Sequence, residues 1–167
     1  VAWAEKAEEL LNLTIEQFKD PKLSGFYISS ENMKNAGPAR KKSWYDHSMP
    51  SGNSSLLRCF YTLGEIRGES SKWFTEYKEA LSGYQKLNKQ SPDGIGHALS
   101  AQTEQALGTV KIEGPIQKIK DIAFQMSKRN YRPILYTETN EFAVQISQQT
   151  KTYNPDEVNE LIKQIIE

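Results

Sequence analysis

The residue types best suited to chemistry cluster in one run, Tyr45-Asp46-His47-Ser48-Met49-Pro50-Ser51-Gly52-Asn53-Ser54. A carboxylate beside an imidazole suits acid–base work, which makes Asp46 and His47 the candidate catalytic groups. Ser51, Gly52 and Asn53 stand where a long loop is expected to enter a helix. The unpaired first-turn amides and partial positive charge of a helix start hold anions or hydroxyl-rich ligands, and a glycine lets such a ligand approach the backbone. The same residues have an architectural reading, in which Ser51 or Asn53 caps the helix and Asp46 fixes the loop. The sequence leaves both readings open.

Other constellations carry less. Ser51, His47 and Asp46 contain the types of a hydrolytic triad, but three near neighbours in one loop do not present nucleophile, base and orienter together. No Gly-x-Ser-x-Gly elbow exists either. His47 and His97 are the only histidines and Cys59 the only cysteine, in no spacing that fits zinc, so neither metal nor cofactor is expected. Cys59 reads as a small core residue of a helix. The glycines form no phosphate loop, and the strand expected at 110–112 is followed by Glu113-Gly114-Pro115, one glycine with an acid, which disfavours a pyrophosphate. Asn12-Leu13-Thr14 and Asn53-Ser54-Ser55 match the glycosylation pattern by chance. Arg40-Lys41-Lys42, with Lys34 before it and Trp44-Tyr45 after, is the single basic–aromatic cluster and reads as a solvated loop.

Composition sets the frame. With 21 Lys plus Arg against 21 Asp plus Glu in 167 residues, the chain has no net charge. A sequence pI near 6.9 offers no basic footprint for nucleic acid. Mean hydropathy is −0.67, and no apolar run approaches the roughly 18 residues of a membrane span. The lone cysteine excludes an internal disulfide and fits a reducing, cytoplasmic setting, and no signal peptide is visible.

The elements that must position the run follow from periodicity. Trp3, Ala7, Leu10, Leu11, Ile15 and Phe18 share one face of a helix over 1–19, ended by Asp20-Pro21. Gly25-Phe26-Tyr27-Ile28 reads as a short strand or hairpin arm, and 29–51 as a long loop of the kind that is often functional. Leu56, Leu57, Phe60, Leu63 and Ile66 mark a helix closed by Gly68. Ser70 or Ser71 caps the next, whose apolar face runs Phe74, Tyr77, Leu81, Tyr84 and Leu87. Ser91-Pro92-Asp93-Gly94 is a turn, and a weaker helix covers 96–107. The period then changes: a strand at 109–112, a helix opened by Pro115 with Ile116, Ile119, Ala123 and Met126 inward, and a strand at 134–136. A Thr139-Asn140 hairpin leads to a strand at 142–146, and a helix with Val158, Leu161, Ile162 and Ile165 follows Asn154-Pro155. The expected class is α+β: helical hairpins over 1–107, then a small βαββα unit over 108–167.

The segment YDHSMPSGNSSLLRCFYTLGEIRGESSKWFTEYKEAL resembles the C-terminal region of the highly conserved thioredoxin-domain-containing proteins, the family that includes spermatogenesis-associated protein 20. There an aspartate followed by Pro-Ser-Gly-Asn opens a helix; the matching residues here are Asp46, Pro50, Ser51, Gly52 and Asn53. The likeness extends over about residues 2–90 and is looser in the tail. His47 and Ser43 replace the family's small and acidic residues, and the cysteines associated with its C-terminal hairpin are absent from 136–146. The resemblance implies a partial (α/α) barrel related to six-hairpin glycosidases and N-acylglucosamine 2-epimerases, here as a fragment without the thioredoxin-like domain. It implies a carbohydrate-binding barrel portion, not catalytic alone, with Ser51, Gly52 and Asn53 bonding a sugar and Trp44 or Tyr45 stacking on its ring. The alternative is a non-catalytic protein-interaction module. The partners implied are a sugar-like small molecule, the remainder of the parent protein, and a second copy meeting apolar faces at Trp3, Leu10 and Trp73.

Overall fold

The computed structural model describes residues 2–33, 39–68, 70–127, 133–146, 152, 153, 157, 160 and 163. The fold is α+β and mostly helical. The chain divides into two compact units, Val1–Gln102 and Thr103–Glu167, each with its own apolar core. Among the described residues no helix is long and apolar enough to cross a membrane.

In the first unit, α1 (Ala2–Phe18), α2 (Gly52–Arg67) and α3 (Lys72–Ser82) bury one stripe each. Leu57, Phe60, Tyr61 and Leu63 of α2 meet Trp73, Tyr77 and Ala80 of α3, and Phe60 stacks on Trp73 at 5.9 Å and 12°. A side chain at Gly64 would come within 2.7 Å of the Phe74 ring, so the glycine is what lets α2 and α3 approach. The caps are local and readable: Ser51 Oγ accepts Ser54 N–H, Ser71 Oγ accepts Trp73 N–H, and Gly68 closes α2 at φ +95°. Charged groups tie α1 across: Glu8 receives Arg67 and the Trp73 indole, and Lys19 bridges Glu76 and Glu79.

Several expectations change here. The third helix stops at Ser82 rather than reaching Leu87, because the backbone there switches to i→i−3 bonds, Gly83 N–H to Ala80 O, Tyr84 N–H to Leu81 O and Gln85 N–H to Ser82 O, which close it in a turn. A short helix α4 (Leu87–Gln90) and a 3-10 turn (Pro92–Ile95) lead into α5 (Gly96–Leu107). Segment 25–28 forms single antiparallel bridges, Lys19 with Phe26 and Tyr27 with Lys42, instead of a strand. Trp73 is buried, whereas Trp3 and Leu10 are exposed. Cys59 is exposed on α2, not a core residue.

In the second unit a four-stranded sheet has the order β2-β1-β3-β4, with β1 (Val110–Gly114), β2 (Ile134–Glu138), β3 (Ala143–Ile146) and β4 (Thr152–Tyr153). Helix α6 (Ile116–Ser127) carries the parallel crossover from β1 to β2. Val110, Ile112, Val144 and Ile146 pack with Ile119. The 139–140 turn makes no hairpin: β3 pairs antiparallel with β1, on the side away from β2. Thr139 N–H donates to Gly114 O at the end of β1, and Gly114, at φ +152° and without a side chain, leaves room for Phe142 there. Most of the segment after Asn154-Pro155, where a helix is expected, lies outside the described residues, of which Glu160 and Lys163 are helical, and the Met126 side chain, expected inward, is not described.

Candidate functional site

The sequence around α2 is polar where a helix start must be polar, and the structure spends nearly all of that polarity internally. Asp46 is the anchor. Its Oδ1 accepts Ser51 N–H at 2.8 Å and the Ser54 hydroxyl at 2.7 Å, and its Oδ2 accepts His97 N–H at 2.8 Å. One carboxylate therefore faces the N-terminal ends of both α2 and α5, where a negative charge is favoured. Burial pushes this carboxyl upward, but the three hydrogen bonds outweigh it and hold it below its ordinary range. An acid so held is a fixed anion, poorly suited to proton transfer near neutral pH.

Ser51 is buried and sits in a chain of hydroxyls. Its Oγ lies 3.3 Å from Tyr84 OH and 3.0 Å from Ser54 Oγ, which in turn donates to Asp46. Burial, first of all, pushes the Tyr84 phenol up to about 12, so it stays protonated. The imidazole of His47 is exposed and makes none of these contacts; its backbone N–H donates to Met49 O. Ser51, His47 and Asp46 thus form no relay.

Asn53 is also buried, with both ends of its amide in use. Its Oδ1 accepts Phe26 N–H at 2.7 Å, while Nδ2 donates to Phe26 O at 3.0 Å and Ser43 O at 2.8 Å. The side chain stands in for a neighbouring strand and pins Phe26 and Ser43 to the start of α2. Trp44 is half-buried: its ring edge fills the space above Gly25 and Gly83, where a Cβ would lie 2.4 and 2.2 Å away, and it meets Tyr84 edge-on at 5.1 Å. Tyr45 is exposed and leans on Gly94. The two aromatics expected to stack on a ring are therefore on different sides of the loop's own packing.

What remains open is backbone and space. Gly52 is exposed, and a side chain there would meet nothing within 4 Å. Gly52 and Asn53 line a cleft of about 480 Å³ whose other walls include Thr14 and Phe18 of α1, Ile28, and Leu56 of α2. The amides of Gly52 and Asn53, two of the orphan donors of the first helical turn, have no partner among the described residues. The lining is mostly apolar with a few polar side chains, Thr14, Ser43, Asn53 and Ser55, the usual make-up of a small-molecule site.

Sequence reasoning did not foresee Tyr84, Thr14, Phe18 or Ile28 as neighbours of this run. Only Ser54 had a local signal, three residues after the capping serine. Among the described residues no group of three His, Cys, Asp or Glu is placed to hold a metal ion. Comparison of the chain with family models, with curated proteins and with solved structures gives no match.

Proposed function

We propose that this chain is a portion, not catalytic alone, of an (α/α)-barrel protein of the thioredoxin-domain-containing type, and that it contributes a binding cleft for a sugar-like small molecule at the entrance of α2. The observation that carries this reading is the cleft itself: about 480 Å³ between α1 and α2, lined among others by Gly52 and Asn53, whose amides have no partner among the described residues. In this reading Asp46, Ser51, Trp44 and Asn53 hold the helix start in place, and the ligand meets backbone N–H groups against Phe18, Ile28 and Leu56. A cytoplasmic setting accords with the lone cysteine.

The test is calorimetric titration with mono- and disaccharides of wild type and Gly52→Leu. That substitution adds no clash at Cβ and places a bulky side chain on a residue that lines the cleft. Saturable binding lost in Gly52→Leu is the expected result; a well-folded wild type that binds no saccharide removes the proposal.

A second reading, a protein-interaction module, is favoured by one observation. Trp3, Leu10 and Leu13 are 88%, 54% and 44% exposed on α1, on a side of the helix other than the buried stripe. Trp3→Glu is expected to abolish self-association in sedimentation experiments, and a wild type that stays monomeric at high concentration sinks this reading.

A further inference from the structure

A second cleft of the first unit differs in chemistry from the one at α2. Its volume is about 580 Å³, and Arg40, Lys42 and Lys86 line it together with a single carboxylate, Asp20. Lys42 neutralises Asp20 at 2.7 Å. Arg40 has no carboxylate partner: its Nε and Nη2 donate to the carbonyls of Ser29 and Gln17. Those bonds leave the two N–H donors of Nη1 without a partner among the described residues. Lys86 is exposed, and no ion pair of the described residues uses it. Carbonyls do not cancel charge, so the cleft keeps two cations in excess.

The wall between these cations is apolar. Tyr27 lies under Arg40 and Lys42, at 4.1 and 5.2 Å from its ring centroid, and Leu23, Trp44 and Leu87 complete the cleft. Leu23 is 70% exposed at this cleft. Lys41 and Lys22, both exposed, carry charge of the same sign on neighbouring chain. Arg40 and Lys42 are not a solvated run, as their sequence suggests; they are half-buried and held in place, which removes much of the entropy cost of using them on a ligand.

We infer that this cleft binds a phosphate ester of a small ring compound, with the oxyanion on Arg40 Nη1 and Lys86 and the ring against Leu23, Trp44 and Leu87. Guanidinium and ammonium together suit a dianionic phosphate. A volume near 580 Å³ accommodates a ligand of that size. The inference is independent of the neutral-sugar cleft at α2, since the two share only Tyr27 among their lining residues.

The experiment is titration calorimetry at low salt with glucose 6-phosphate, glucose and inorganic phosphate, on wild type, Lys86→Ala and Lys89→Ala. Lys86 and Lys89 are both exposed, so neither substitution disturbs the core, and thermal melts verify this. Lys89 removes the same charge outside the cleft. The expected result is that the ester binds at least tenfold tighter than glucose or inorganic phosphate. Lys86→Ala should weaken it about fivefold or more with Lys89→Ala near wild type, and added salt should weaken it further. Equal binding of ester and glucose overturns the role of the oxyanion, and equal binding of ester and phosphate overturns the role of the ring. Equal losses in the two lysine variants reduce the effect to diffuse surface charge, and absence of ester binding overturns the inference outright. Saccharide binding at α2 with no ester binding here leaves the earlier proposal standing, and the converse leaves this one.

Discussion

Replacing Asn53 by alanine removes three hydrogen bonds at once, two to Phe26 and one to Ser43. A typical bond contributes about 1 kcal/mol net, and a buried group left unpaired costs roughly 1–3 kcal/mol. Phe26 is 4% exposed, so water reaches its amide and carbonyl poorly, and the total loss comes to about 3–5 kcal/mol by the same reckoning. That is a large share of the roughly 5–15 kcal/mol that stabilises a domain. Urea unfolding followed by tryptophan fluorescence reads it directly, since Trp73 lies in the core of this unit. Gly52→Ala, one residue away with open space at Cβ, serves as the control and should change stability by less than about 0.5 kcal/mol. Asn53→Asp adds a sign test. A carboxylate there still accepts Phe26 N–H but faces two carbonyl oxygens, so its folded-state pKa rises above the unfolded value. Its stability is then greatest below about pH 4 and is lost as pH climbs through the raised value. If Asn53→Ala costs less than about 1 kcal/mol, the reasoning that makes this amide the clasp of the loop is wrong.

Gly83→Ala should destabilise by about 1–3 kcal/mol in the same assay, because its Cβ would fall 2.2 Å from the rigid Trp44 ring at an ordinary φ of −65°; a neutral result would mean that Trp44 is free to move. Asp46 predicts the opposite pH course to the Asn53→Asp variant. Its carboxyl is held low in the folded state, so its contribution is present above an unfolded value of about 3.9 and fades as pH falls through the folded one. Asp46→Asn should therefore lose stability at neutral pH, and the wild-type minus variant difference should shrink as pH falls through the folded value, whereas parallel curves would deny that Asp46 is a fixed anion.

How much of this was legible depended on range. The caps at Ser51, Gly68 and Ser71 are local grammar, and the structure uses them as such. The change from helical to strand period near residue 109 is likewise carried by neighbouring residues and is seen as β1, α6, β2 and β3. The run around Asp46 announced polarity but not its use. Whether Asn53 faces a ligand or Phe26 is decided 27 residues away, and whether Trp44 offers its face is decided by Gly25 and Gly83. The same holds for Arg40, whose partners at Gln17 and Ser29 no charge pattern reveals. The 139–140 turn misled for a topological reason, because a hairpin signal says nothing about a strand, here β1, that lies between the two arms.

The binding claim meets its most direct test in a backbone-amide NMR titration of the isotope-labelled chain with a monosaccharide. The amides of Gly52, Asn53 and Ser55 should shift in a saturable, common isotherm while those of Asp46 and His97 stay fixed. Unchanged amides at the start of α2, or shifts centred on Asp46 and His47 instead, would contradict the account.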